Sequence, residues 1–210
     1  MLLVFDTSTS QIGIGLATDE GELLREFHGT ATANERGIHD ARLASETEGL
    51  LLEVGATAGA ISRIGLVIGP GSFTGLRIGL AFAKGLALAL DSGIVALTAH
   101  EVLGVNASPS TTYIITPGYQ PDLVYHSDAS SPPAIRAISV QEYLHLHRSL
   151  AIAHSLLTPD TRFDTGLTIF ETPSLSAMAR LTADSKEILR GEFIDSLEPL
   201  YLTDFKTGGR

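Results

Sequence analysis

The chain contains no cysteine. That excludes a disulfide framework and any thiolate metal site, and it is compatible with a reducing compartment. Positive charge is also scarce: 14 Lys and Arg stand against 24 Asp and Glu, for a formal net charge of −10. Proteins that grip nucleic acid do so with clustered Lys and Arg that displace phosphate counterions. Here the basic residues are scattered, so any RNA chemistry would need a partner to hold the RNA. Long apolar runs are missing as well. The longest, residues 78–90, carries Lys84 and Gly85 and falls short of the roughly 20 residues needed to cross a bilayer. The opening residues have no basic stretch ahead of their apolar run, and Asp6 interrupts it early, so no signal peptide is predicted. Together these absences predict a soluble, cytoplasmic protein without a membrane span.

What is present suffices for a sizeable core. Over 210 residues, 44% are hydrophobic and 18% charged, enough for one large domain or two small lobes. Residues 2–5 read as a buried strand, and Ile12-Gly13-Ile14-Gly15-Leu16 alternates as a strand with one buried face. A turn at 19–22 leads to a third strand over 23–31. Apolar stripes predict a helix over 38–54, with Gly55 as its C-cap. A fully apolar strand at 64–68, a glycine-rich loop, a helix at 76–90 and a strand at 94–97 complete the first half. This order predicts a mixed sheet with helices packed on it. The character changes near Ser108-Pro109-Ser110. Of the 21 glycines, only Gly118, Gly166, Gly191, Gly208 and Gly209 lie beyond Gly104. The second half predicts strands at 113–116, 123–127, 135–139, 150–153 and 167–170, and helices at 140–146 and 174–189. The expected lobes are 1–104 and 105–210. No repeat is evident.

The most specific string is Gly69-Pro70-Gly71-Ser72-Phe73-Thr74-Gly75-Leu76-Arg77-Ile78-Gly79, between an apolar strand and a helix. A helix start offers free N–H groups and about half a positive charge, which favours an anion. Glycines let backbone approach a ligand closely, and Ser72 and Thr74 can cap the helix or bind the ligand. The spacing is neither the dinucleotide fingerprint nor a Walker loop, which would need a lysine. A tight strand-to-helix turn that is merely glycine-rich accounts for it equally well. Arg77, in the helix's first turn, opposes the dipole and calls for a salt bridge, an anionic ligand or a partner's acid. Asp6, followed by Thr7, Ser8 and Thr9, could hold hydrated magnesium and a phosphate, or could simply cap its own turn.

The helix at 76–90 has no polar face: Leu80, Phe82, Leu86, Leu88 and Leu90 spread around the whole wheel. Such a helix is buried on both sides, either by its own chain or by another protein, and the second is preferred here. His39, beside Asp40, is a cap-region or interface contact. His145 and His147 form the best metal-like pair but diverge on a helix and lack a third ligand. Zinc-protease and G-x-S-x-G motifs are absent. Ser155, Asp160 and Asp164 read as ordinary loop residues. No catalytic or metal residue is assigned.

The strings Leu3-Val4-Phe5-Asp6-Thr7-Ser8-Thr9, the His39 helix and the loop from Gly69 to Gly79 closely resemble the TsaB (YeaZ) family of tRNA threonylcarbamoyladenosine biosynthesis proteins. Pro199-Leu200-Tyr201-Leu202 is similar to the family's ending. The resemblance implies an α/β ASKHA fold (actin, Hsp70 and sugar-kinase type) with two lobes, a mixed sheet flanked by helices and a reduced second lobe. It implies a non-catalytic scaffold or activator that heterodimerises with a TsaD-like catalytic paralogue, with a TsaE-like ATPase, to add threonylcarbamoyl to adenosine 37 of tRNA. The tRNA would be met only through the complex, and the free protein could pair with a second copy of itself. The first-lobe helices would carry the partner interface, with His39, Arg77, Leu80, Phe82 and Leu86 as its expected residues. No cofactor is expected to bind tightly. ATP or ADP with magnesium could sit at the partner interface, near the nucleotide or anion candidates Asp6, Thr7, Gly69, Gly71, Ser72, Thr74 and Gly75. The second lobe departs from the family at Pro117-Gly118-Tyr119 and near Ala153-His154-Ser155. The alternative is a small-molecule kinase or ATPase of the same fold, and a third reading is the metallopeptidase label attached to this superfamily.

Overall fold

The computed structural model describes residues 1–9, 11–30, 38–108, 110–118, 120–132, 134–146, 151–154, 168–171 and 173–202. The first half runs β1 (Leu2–Asp6), β2 (Gln11–Ala17), β3 (Leu23–Thr30), α1 (Ile38–Glu53), a 3-10 turn (Ala58–Ala60), β4 (Arg63–Gly69), α2 (Phe73–Leu90), β5 (Gly93–Thr98) and α3 (Ala99–Gly104). The second runs β6 (Tyr113–Pro117), β7 (Leu123–Asp128), β8 (Arg136–Ser139), α4 (Val140–Leu146), β9 (Ala151–His154), β10 (Thr168–Glu171), α5 (Leu175–Asp184) and α6 (Glu192–Asp195).

Two five-stranded sheets result, in the orders β3-β2-β1-β4-β5 and β10-β9-β6-β7-β8. In the first, β1 pairs antiparallel with β2 and parallel with β4. In the second, β6 pairs antiparallel with β7 and parallel with β9. The two sheets therefore share one topology, a repeat invisible in the sequence because the strands carry different residues. The second sheet's strands are shorter, four to six residues against five to eight.

The central strand β1 explains the layering. Its side chains alternate across the sheet: Leu3 and Phe5 join one core with Leu43 of α1 and Leu80 of α2. Leu2 and Val4 join another with Ala99 and Val102 of α3 and Leu175 and Met178 of α5. Every residue of β1 is thus buried, as the apolar run from Leu2 to Phe5 requires.

Three features differ from expectation. Helix α2 starts at Phe73 rather than 76, because the Ser72 side chain accepts from the Gly75 N–H at 3.3 Å and caps the earlier turn. Helix α3 was not expected, although its capping box is legible: Thr98 Oγ1 accepts from Glu101 N at 3.1 Å, while Thr98 N donates to the Glu101 carboxylate at 2.8 Å. The expected helix at 174–189 stops at Asp184. There the chain extends to the open edge of β5, where Leu189 and Ile94 exchange N–H···O bonds at 2.8 and 2.9 Å. An unpaired edge offers those bonds and a further helical turn does not.

Residues 175–202 consequently return to the first sheet, α5 lying on β1, β2 and β4. Reciprocally, α3 packs on β6 and β9, and its fully buried His100 bonds Ser127 at 2.7 Å and Thr116 at 3.1 Å.

Candidate functional site

The glycine-rich loop and the β1–β2 turn meet. Ser72 N donates to the Ser8 carbonyl at 2.6 Å, and Thr7 Oγ1 donates to the Gly75 carbonyl at 2.8 Å. A methyl on Gly71 would stand 2.5 Å from the Ser8 carbonyl, and one on Gly75 would overlap the Thr7 carbonyl outright. These two glycines are needed for chain-on-chain contact. The structure thus brings together Asp6, Thr7, Gly69, Gly71, Ser72 and Gly75, with Thr74 exposed on the rim.

Asp6 is 7% exposed, and its carboxylate accepts from Ser8 N at 2.8 Å. Burial pushes its carboxyl above the ordinary range, against the opposing pull of the Ser8 backbone N–H. Ser8 Oγ is buried without a partner. Magnesium demands several oxygen ligands and retained waters. A single desolvated carboxylate beneath a closed turn does not fit that demand. Among the described residues, this loop and turn alone do not supply a magnesium ligand set.

The apolar helix α2 is embedded on one side only. Leu76, Gly79, Leu80, Ala83 and Ala87 are buried, whereas Ala81, Gly85, Leu88 and Ala89 are exposed. Leu80 belongs to the chain's own core. Phe82 is partly buried, edge-on to Phe5 at 5.6 Å. With Leu86 it lines a groove of about 390 Å³ between α2, α1 and residues 56–61. The exposed strip carries Leu88, 86% exposed, and Leu52 on the neighbouring α1 is 72% exposed. A helix this apolar passes a length-and-composition test for a membrane span; here its buried side lies on β4 and β5.

The C-terminal segment straps the other flank of α2 at heptad steps. Asp91 O accepts from Arg190 at 3.0 Å, Lys84 Nζ donates to Asp195 O at 2.9 Å, and Arg77 Nε donates to the Tyr201 hydroxyl at 3.1 Å. The strap's role could not be read from the sequence, whose only hint was the family-like ending at Tyr201.

His39 lies in α1, but its side chain is outside the described residues, as are His147, Ser155, Asp160 and Asp164. His145 is exposed on α4. Among the described residues no three His, Asp or Glu cluster as metal ligands. His126, missed by the sequence reading, is 1% exposed with neither ring nitrogen hydrogen-bonded, and its ring lies 4.7 Å from that of Tyr113. Burial pushes its imidazole below the usual value, with Arg136 adding to the effect.

Two sheets of one topology, each flanked by helices, define the class as an α/β fold of the ASKHA type. A model of the family TsaD: tRNA N6-adenosine threonylcarbamoyltransferase matches residues 26–153, and the chain belongs to this tRNA-modification family. The fold is similar to YeaZ from Pseudomonas aeruginosa, with a TM-score of 0.72 and 20% identity over 96% of this chain and 99% of that one. Another P. aeruginosa structure, described as an uncharacterized protein with similarity to peptidase YEAZ, gives the same TM-score of 0.72 and 20% identity, with 96% and 99% covered. The ethanolamine utilization protein EutJ from Carboxydothermus hydrogenoformans is similar at a TM-score of 0.51 and 9% identity, over 86% of this chain and 88% of that one. No curated protein matches the chain. The resemblance drawn from the loop and first strand is borne out.

Proposed function

We propose that this chain is a cytoplasmic, non-catalytic subunit of the TsaB (YeaZ) kind. It heterodimerises with a TsaD-like catalytic protein, alongside a TsaE-like ATPase, to support transfer of threonylcarbamoyl to adenosine 37 of tRNA. The observation that carries this is the exposed apolar strip of α2. A helix with Leu88 in water beside Ala81, Gly85 and Ala89 leaves an apolar, closely approachable surface. Such a surface is favourable only when another protein covers it.

Two further observations support the reading. The Thr7 hydroxyl is bound to the chain's own Gly75 rather than being available to a ligand. The net charge of −10 leaves tRNA to the partner. Nucleotide, where present, would be completed by partner groups at the interface.

The test is co-purification with the TsaD-like protein of the same organism. Leu88→Glu should abolish the complex and leave the melting temperature unchanged, since the side chain touches little of its own chain. Phe82→Glu is the poorer probe, because Phe82 packs on Phe5. Full retention of binding by Leu88→Glu, or ATP hydrolysis at ordinary enzyme rates by the isolated chain, would overturn the proposal.

A further inference from the structure

Arg77, Ala81, Gly85 and Leu88 follow one another at i, i+4, i+8 and i+11, so the guanidinium stands at one end of the exposed apolar strip. With α2 starting at Phe73, it stands in the second helical turn, where the positive partial charge of the helix N-terminus is already weaker. None of the ion pairs among the described residues includes it. Neutral groups hold it instead. Its guanidinium carbon lies 4.0 Å from the centre of the Phe73 ring, and its Nε donates to Tyr201 at 3.1 Å. One edge and one face of the guanidinium are thereby occupied. The end carrying the two terminal nitrogens is the edge that binds a carboxylate in fork geometry.

We infer that Arg77 reads charge at the proposed interface by pairing with a carboxylate of the TsaD-like partner, and that Tyr201 is a positioning residue that holds the guanidinium for it. The inference rests on the pairing proposed above. A protein carboxylate is favoured over an RNA phosphate for two reasons. The cation is continuous with an apolar strip that a nucleic-acid backbone would not cover, and the chain's net charge of −10 repels RNA. In a chain so acidic, a cation held at the end of the strip also fixes where an acidic group of the partner docks.

The experiment measures association of the full chain with its TsaD-like protein by surface plasmon resonance at low and high salt. Melting temperatures are recorded for each variant. Arg77→Ala should weaken binding about fivefold, mainly through the association rate, and flatten its salt dependence. Arg77→Lys should restore the salt dependence without the full affinity, since an ammonium lacks the fork. Tyr201→Phe keeps the ring and removes only the hydroxyl; about a twofold loss is expected, with the salt slope retained. A purely structural Arg77 would lower the melting temperature and leave the salt slope alone, which would overturn the inference. Unchanged partner binding by Arg77→Ala, with or without weaker tRNA retention by the complex, would also overturn it. If Leu88→Glu still destroys the complex in that case, the pairing itself stands. If the wild-type proteins do not associate, both fall.

Discussion

The hydroxyl of Thr7 donates to the carbonyl of Gly75 at 2.8 Å, joining the end of the first strand to the first turn of α2 across 68 residues of sequence. Both partners are buried, so the bond closes the glycine loop onto the β1–β2 turn. Thr7→Val keeps the shape and removes the donor, while the Gly75 carbonyl keeps its place in the helical ladder of α2. The expected loss is about 0.5–1.5 kcal/mol in urea unfolding. A change below a few tenths would show that water replaces the bond.

Two of the three glycines of α2, Gly75 and Gly85, should respond in opposite directions. Gly75→Ala drives a methyl into the backbone of Thr7, which cannot move aside as a flexible side chain would. It should cost at least about 3 kcal/mol and reduce soluble yield. Gly85 has nothing near its missing side chain. Gly85→Ala should therefore gain up to about 1 kcal/mol from helix propensity, while weakening partner binding by holding the surfaces apart.

Asp6 is raised by burial, so its native form binds a proton more tightly than its unfolded form. Stability from this group consequently falls as pH rises from the ordinary carboxylate value through the raised one. Asp6→Asn keeps an oxygen for Ser8 N and removes the buried charge. The variant should be more stable than wild type at neutral pH, and the difference should shrink as pH falls. Urea midpoints across that range check the sign. A variant less stable at neutral pH would mean that the carboxylate is compensated by a group other than Ser8.

His126 has the opposite linkage. Its imidazole is pushed below the usual value, so the unfolded chain takes up a proton first and the native state is disfavoured as pH falls below the ordinary histidine range. The groups around it are Arg136, Asp128 and Glu142, with the Tyr113 ring against it. His126→Phe should melt at nearly the same temperature as wild type above neutrality and lose less stability on acidification. Parallel pH profiles would place the acid sensitivity elsewhere.

Much of the fold was legible because burial leaves a local trace. The unbroken apolar run of β4 and the alternation in β2 gave strands of the right type. The apolar circumference of α2 announced a helix with more than its own sheet to satisfy. The same signal did not say which side would remain in water: Leu80 and Leu88 are the same residue type on one helix, yet one is 7% exposed and the other 86%. That depends on what packs alongside, and Ile194 of the C-terminal segment, far away in sequence, belongs to the same core as Leu80.

The sequence by itself determined the order of the strands and of helices α1, α2, α4 and α5, the absence of thiolate chemistry and the family signature of the glycine loop. These properties are written in periodicity and in short strings. Only the tertiary structure decided that the two halves repeat one topology, that α5 covers β1, that Gly71 and Gly75 serve contact with Thr7 and Ser8, and that Tyr201 steadies Arg77. Each of these joins segments far apart in the chain, and no local pattern encodes which distant surface will exclude water from a given residue.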